Sequence, residues 1–213
     1  MTSRVRVHTK VLTSPDVSLT TVFQNMREVN ATVNIDIEWA TEETLNLPAL
    51  NVVDVGQCIQ GQTTSEQNQL FINRNFAGAN DIVVYFVLAT DPPFNGCAAH
   101  PLGTPSAVVA RPATQWTFAH EIGRVLDLIH VNNNDLLMTG NGTTNITNPP
   151  PELVASEVAT MQATVLTVDV NNDDHILAKL QTQGNSGFMR CSQQMVPGVS
   201  NWPELRGRRS AAS

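Results

Sequence analysis

Apolar and polar residues alternate along two stretches near the start of the chain, residues 4–12 and 33–39. A period of two is typical of a strand with one buried face, so both stretches are predicted strands. Residues 82–88 are apolar on both faces, which favours a central, fully buried strand. A further short strand is predicted over residues 107–110, which precede Pro112.

Three other segments carry apolar residues at helical spacing. The first follows a helix start signal at residues 14–16. The second has an apolar stripe made of Trp116, Phe118, Ile122, Val125, Leu126 and Ile129. The third opens at the prolines 149–151, while residues 40–80 have weak periodicity and are predicted mostly as loop. This alternation of strands and helices favours an α/β or α+β fold with helices backing a sheet.

The composition is that of a globular chain and argues against two classes of function. The chain has 213 residues, of which 41% are hydrophobic and 15% charged, so it can bury a substantial core. Its net charge is −7 and no basic face is visible, which argues against nucleic-acid binding. The longest apolar run, residues 82–90, is too short to span a bilayer.

Neither the N-terminal sequence nor the cysteine content decides the cellular compartment of the protein. The first residues, MTSRVRVHTK, lack the apolar core of a secretory signal. The protein therefore stays inside the cell, leaves by another route, or has lost a leader. Three cysteines do not make a disulfide scaffold, and Cys58 and Cys97 either pair or remain thiols according to the redox compartment.

The most informative segment is HEIGRVLDLIH, residues 120–130. A His-Glu pair on a helix is where zinc peptidases place their first ligand and their general base. In the usual pattern a second histidine follows one helical turn later, so that two imidazoles grip one ion and the Glu between them deprotonates bound water. A third histidine arrives six residues further on, after a glycine has broken the helix.

With this spacing the segment resembles the HExxHxxGxxH motif of the metzincin zinc metallopeptidases. The resemblance implies that His120 and His130 are zinc ligands and that Glu121 is the general base. The segment 135–140 resembles the Met-turn of that family, in which the methionine, here Met138, lies beneath the metal. The likeness is specific over roughly residues 81–166 and only topological over residues 1–80.

The resemblance also implies a fold. It predicts a metzincin-like α/β (α+β) domain over residues 1–167, with a twisted mixed sheet, an active-site helix and a smaller helical C-terminal subdomain. The upper subdomain is 1–130 and the lower one, with the Met-turn and a helix, is 131–167. Residues 168–213 are predicted to be a partly disordered C-terminal extension whose role is left open.

A substrate would bind in extended form along the edge strand of the sheet, by adding a strand to it. The residues assigned to that edge strand are Ala107, Val108, Val109 and Ala110. The specificity pocket would be lined partly by residues 139–150.

Two motif positions depart from the family pattern. Arg124 replaces the second histidine, and a guanidinium has no lone pair with which to bind a metal. Asp127 replaces the glycine, which is milder because Asp enters the left-handed region at tolerable cost. Arg124 lies three residues from both Glu121 and Asp127, so one hypothesis is that it forms ion pairs with both carboxylates and supplies the charge that zinc would have supplied. The alternative is that the chain is a family member with two recent single-residue lesions.

By resemblance, the predicted function is zinc-dependent hydrolysis of peptide bonds, impaired because Arg124 replaces a ligand. One alternative is an inactive pseudopeptidase, a pseudoenzyme that binds a peptide or protein in the same cleft, and another is a metal-free structural module. The expected partner is an extended peptide or protein, with no nucleic acid and no membrane span. The oligomeric state is left open, and secretion is plausible by family resemblance.

Three further polar features have an ordinary structural interpretation beside a functional one. His100 is either a substitute zinc ligand or an ordinary loop histidine, and His8 is predicted to point outward into solvent. Residues 169–174 resemble the start of a calcium loop but lack its glycine and its closing Glu, so they are predicted to form a polar turn without calcium.

Overall fold

The computed structural model describes residues 3–169, and these residues belong to one compact unit. The strands in this range are β1 Ser3–Val11, β2 Ile35–Thr44, β3 Val52–Asp54, β4 Ile82–Val87, β5 Ala89–Asp91, β6 Gly96–Cys97, β7 Ser106–Ala110 and β8 Val168–Asp169. The α-helices are α1 Leu19–Ala31, α2 Ser65–Phe71, α3 Thr117–Val125 and α4 Ala155–Ala163. Short 3-10 helices cover Pro48–Leu50 and Thr143–Asn145.

The main sheet is mixed and has the order β2-β1-β4-β7-β6. The first four of these strands run parallel, β6 is antiparallel to β7, and β8 is antiparallel to β1. The strands β3 and β5 form a small parallel sheet of their own. The predicted fold class, a mixed sheet with helices packed on it, is confirmed.

Each face of the sheet is covered by its own apolar core. The larger core joins β1 and β4 to α1 and α3, with Phe23, Phe86 and Phe118 at its centre. The smaller core lies on the opposite face, where Tyr85 packs against Phe71 of α2. Burial on both faces explains why β4 is apolar throughout. Within residues 3–169, no helix has the length and apolar character needed to cross a bilayer.

His8 and Lys10 lie on the face of β1 that is remote from α3, and both are fully buried. His8 bonds Thr41 and Asp81, and the Lys10 ammonium bonds the Glu43 carboxylate. The prediction that His8 is solvated is therefore wrong. The alternation along β1 was read correctly, but other segments of the chain cover both faces of the strand.

The strand β7 is not the edge of the sheet. It pairs with β4 on one side and with β6 on the other, and its residues are all buried. The prediction that Ala107, Val108, Val109 and Ala110 form the edge strand is therefore wrong. The chain after β5 folds back to pair with β7, so the edge that lies beside α3 is β6.

The segment 40–80 is more ordered than predicted. It contains β3 and α2 as well as the end of β2. The start of α2 carries a capping box, in which Thr64 and Gln67 each bond the other's backbone N–H. This Thr-x-x-Gln pattern is a sequence signal for a helix start, and it was overlooked because the helix is short.

Candidate active site

The helix α3 carries His120 and Glu121 and ends in a Schellman motif. The Leu128 N–H donates to the Gly123 carbonyl at 3.0 Å, and the Asp127 N–H donates to the Arg124 carbonyl at 3.2 Å. Asp127 adopts a left-handed conformation with φ 67°, so the conformation expected of this aspartate is confirmed. Because the helix stops here, Ile129 is 72% exposed and does not belong to the buried stripe.

His120 and His130 are brought together by this helix break. Their Nε2 atoms lie 3.1 Å apart. The Nδ1 of His120 lies 2.8 Å from the Leu137 carbonyl, which can only accept, so Nδ1 carries the proton and Nε2 presents its lone pair. The Nε2–H of His130 then donates to that lone pair. Two ring nitrogens that face the same point are arranged as ligands of one ion would be.

Both imidazoles are held in the neutral form that a metal requires. Burial lowers the pKa of His120 to about 4. The pKa of His130 is also lowered, first by burial and then by the charge of Arg124. At pH 7 the pair is therefore uncharged.

Glu121 is buried and packs against the edge strand. Burial raises the pKa of its carboxyl to about 8, an effect that the nearby Arg124 charge partly offsets. A Cβ placed on Gly96 would lie only 2.5 Å from the Glu121 Oε1 atom, so only glycine allows β6 to pass this close. No local sequence signal marks Gly96, because its role depends on a contact between distant parts of the chain.

Arg124 does not form the predicted ion pairs. Its Nη1 donates to the Leu128 carbonyl at 2.6 Å, and among residues 3–169 it makes no salt bridge with Glu121 or Asp127. The pair with Asp127 does not form because the helix ends before that residue, so that helical spacing no longer applies. The pair with Glu121 does not form because the Glu121 carboxyl packs against Gly96 of β6 while the guanidinium bonds the Leu128 carbonyl. The guanidinium instead reaches over the helix C-terminus, where carbonyl groups lack helical partners.

Met138 lies under α3. It is fully buried, and its sulfur would be 2.8 Å from a Cβ placed on Gly123, one helical turn from His120. The backbone around Met138 is tied to the segment after the helix break, since Val131 donates to the Met138 carbonyl at 2.9 Å and Gly140 donates to the Val131 carbonyl at 2.8 Å. The structure thus brings Met138 near the histidine pair, while its assignment as a Met-turn stays a prediction.

Two cavities open beside the histidine pair. One of about 200 Å³ is lined by Gln57, Gln60, Phe94, Glu121, Arg124 and His130, among others. The other, of about 310 Å³, is lined by Thr117, His120, Glu121, His130, Thr139 and Thr143, among others. Part of the segment 139–150 therefore reaches the site, as its predicted role in the specificity pocket requires.

The loop above the first cavity is fixed to the edge strand by a disulfide between Cys58 and Cys97. This decides between the two alternatives that the sequence left open. His100 lies under the same loop, where its Nε2 is 3.2 Å from the Gln60 amide nitrogen and its Nδ1 is 3.0 Å from the Pro101 carbonyl. Both of its ring nitrogens are engaged away from the histidine pair.

The donor set fits zinc incompletely. His120 and His130 provide the first and third imidazole ligands of the motif, and the second ligand position is occupied by Arg124, a cation that cannot bind a metal. Within residues 3–169, no group of three or more His, Cys, Asp or Glu side chains is placed to hold a metal ion. The residues 170–174 of the calcium-like segment and most of the predicted extension 168–213 lie outside the described residues.

The sequence matches no protein-family model, and a search of curated proteins gave no match. The fold resembles metalloproteinase-II from Bacteroides fragilis with a TM-score of 0.55 and 17% identity, over 75% of this chain and 52% of that protein. An archaemetzincin from Methanopyrus kandleri (TM-score 0.49, 13% identity, 75% of this chain and 94% of that one) is less similar. So is a zinc-dependent peptidase from Methanocorpusculum labreanum (TM-score 0.48, 12% identity, 73% and 99%).

At such low sequence identity, the similarity shows a shared fold and nothing about activity. The chain spans about half the length of the Bacteroides fragilis protein. The structural similarity to metalloproteinase-II shows that this chain has the fold of a metalloproteinase.

Proposed function

We propose that this chain is a metzincin-like zinc peptidase domain that binds extended peptide beside α3 and hydrolyses it poorly. The observation that carries the proposal is the 3.1 Å separation of the His120 and His130 Nε2 atoms, with the His120 tautomer set by the Leu137 carbonyl. His130 is exposed, so its ring contributes little to core packing. Two imidazoles whose nitrogens face each other are therefore better explained as ligands of one ion than as packing residues.

Each residue of the site has a defined task in this proposal. His120 and His130 would hold zinc, and Glu121, on the same helix, would accept the proton of the attacking water. Burial raises the pKa of Glu121, so this role requires the positive charge of the bound metal to lower that pKa again. Zinc in such sites polarises the substrate carbonyl and activates water. Met138 supports α3 from below. The peptide adds a strand to β6, rather than to the residues 107–110 that the sequence suggested.

The division into an upper subdomain, 1–130, and a lower subdomain, 131–167, belongs to the same proposal. In this arrangement the cleft lies between β6 above and the segment that carries Met138 and Thr143 below. The cavity between α3 and Thr143 receives a substrate side chain.

Arg124 limits the activity for two reasons. It removes one of three protein ligands, and loss of a ligand weakens metal binding strongly. It also leaves a positive charge near the histidine pair, and this charge already lowers the pKa of both imidazoles. A divalent cation would meet the same repulsion.

A second candidate function is a pseudopeptidase that binds peptide without cleaving it. The observation that favours it is the hydrogen bond that fixes the Arg124 guanidinium on the Leu128 carbonyl. An anchored cation at a ligand position is expected of a site that has been adapted to work without metal.

The test is to measure zinc content and casein hydrolysis side by side for the chain as it stands and for Arg124→His. We expect little zinc and little hydrolysis for the first, and about one zinc per chain with a large gain in hydrolysis for the second. The matched control is Arg111→His, a change of the same kind at an exposed arginine that pairs with Asp16. Failure of Arg124→His to bind zinc would overturn the proposal of a metal site.

A further inference from the structure

We propose that the cavity beside Arg124 binds a peptide carboxylate, and that Arg124 is the residue that recognises it. The inference rests on the proposed function only in assuming that peptide enters the cleft. It assigns to Arg124 a binding role in place of the ligand role that its motif position has lost.

Arg124 is held in place with most of its donors unused. One N–H group of the guanidinium is fixed on the Leu128 carbonyl at 2.6 Å. This is its only hydrogen bond to residues 3–169, and the group is partly exposed. A guanidinium has five N–H donors in a planar fork, which matches the two oxygens of a carboxylate.

The charge of Arg124 is not neutralised by the described part of the chain. Arg4 and Arg111 pair with the carboxylates of Asp36 and Asp16, whereas Arg27 bonds the Ile37 carbonyl. Arg124 has no such partner in residues 3–169, although the whole chain carries a net charge of −7. A cleft lined with low-dielectric walls strengthens the attraction of such a charge for an anion.

The surroundings of Arg124 suit the end or the acidic side chain of a peptide. The cavity of about 200 Å³ also presents Gln57 and Gln60, whose amide groups are hydrogen-bond donors, the apolar surfaces of Phe94 and Ala98, and the buried carboxyl of Glu121. Charge recognition by Arg124, amide donors nearby and apolar walls together are typical of a specific ligand pocket. The shared chemistry is a carboxylate, which a peptide offers at its C-terminus or on Asp and Glu.

The test uses the full chain in the presence of 1,10-phenanthroline, an uncharged chelator, so that zinc cannot mediate any binding and the chelator does not compete as a carboxylate. Three probes are titrated by NMR: acetyl-Ala-Ala-Ala with a free C-terminus, the same peptide as its C-terminal amide, and acetyl-Ala-Asp-Ala amide. We expect at least one carboxylate probe to bind about tenfold more tightly than the neutral amide, as a charge-assisted hydrogen bond predicts. Preference for the free acid identifies the C-terminus as the source, and preference for the Asp probe identifies a side chain.

The preference must depend on Arg124. We expect Arg124→Gln to bind all three probes equally and Arg124→Lys to keep part of the preference, since it keeps the charge without the fork. Arg111→Gln is the matched control and should leave the preference unchanged, and NMR spectra of each variant verify that it is folded.

Equal binding of the three probes by the unaltered chain, or a preference that survives Arg124→Gln, would overturn the inference and leave peptide binding intact. Absence of binding by all three probes would overturn both the inference and the proposed peptide cleft.

Discussion

Two regions of the molecule each bring together a histidine, a carboxyl group and an arginine, and they differ in how these groups are paired. On the face of the sheet remote from α3, the Asp81 Oδ2 atom lies 3.0 Å from the His8 Nε2 atom and 3.3 Å from the Arg6 Nη1 atom. At α3, Glu121 makes no hydrogen bond or salt bridge to residues 3–169, and Arg124 bonds only a backbone carbonyl.

The same difference appears in the pKa values of the two carboxyl groups. Asp81 keeps a lowered pKa although burial raises it, because the Gly78 N–H, His8 and Arg6 stabilise its charged form. Glu121 has no such partners, and burial raises its pKa to about 8. The first region has its polar groups satisfied and therefore serves stability, while the second holds unpaired groups ready for a ligand. Three measurements test this difference between the two regions.

The largest expected effect is the loss of stability on Asp81→Ala. The change leaves His8, Arg6 and the Gly78 N–H without their shared acceptor, so we expect a loss of about 3 kcal/mol in the free energy of unfolding. Urea unfolding followed by circular dichroism measures it. For comparison, the isosteric change Glu121→Gln should alter stability by less than about 1 kcal/mol, because the Glu121 side chain has no bond to lose. Equal losses for the two variants would remove the distinction between the regions.

A smaller effect is expected from Gly96→Ala at the contact between β6 and α3. The new methyl group would overlap the Glu121 carboxyl, and overpacking of this kind costs about 1–3 kcal/mol. The double variant Gly96→Ala with Glu121→Ala should recover most of that loss, since the two side chains no longer compete. Urea unfolding of the four proteins of this cycle gives the coupling energy, and additive losses would show that the contact does not limit β6.

The smallest effect is a pH dependence that comes from His8. Burial lowers the pKa of His8 from its ordinary 6.5, despite the opposing bond to Asp81 and with small contributions from Arg6 and Lys10. Because the unfolded chain binds this proton more readily, the contribution of His8 to stability is complete above pH 6.5 and is lost as the pH falls through its folded-state pKa. The pKa values of His100, His120 and His130 are also lowered and act in the same direction, so the profile is compared with that of His8→Gln. Identical slopes below pH 6.5 in the two proteins would show that His8 takes no part.

Local patterns in the sequence determined much of this architecture. Alternation at residues 4–12 and the doubly apolar run at 82–88 correspond to β1 and β4, and the stripe that begins near Trp116 corresponds to α3. The left-handed conformation of Asp127 was also expected from the residue type. These features were readable because strand and helix periods, and the tolerance of Asp for positive φ, depend on residues that are neighbours in sequence.

The rest was decided by contacts between distant segments. Four features depend on residues that are far apart in the chain. They are the burial of His8 and Lys10, the position of β6 at the sheet edge, the Cys58–Cys97 disulfide and the contact of Gly96 with Glu121. Arg124 is a milder case, because its partner is near in sequence but is reached only through the break of the helix. A sequence determines which residues favour a strand, a turn or a buried position. The tertiary structure decides what lies across from them, and that sets whether a charge is paired or remains free to bind a ligand.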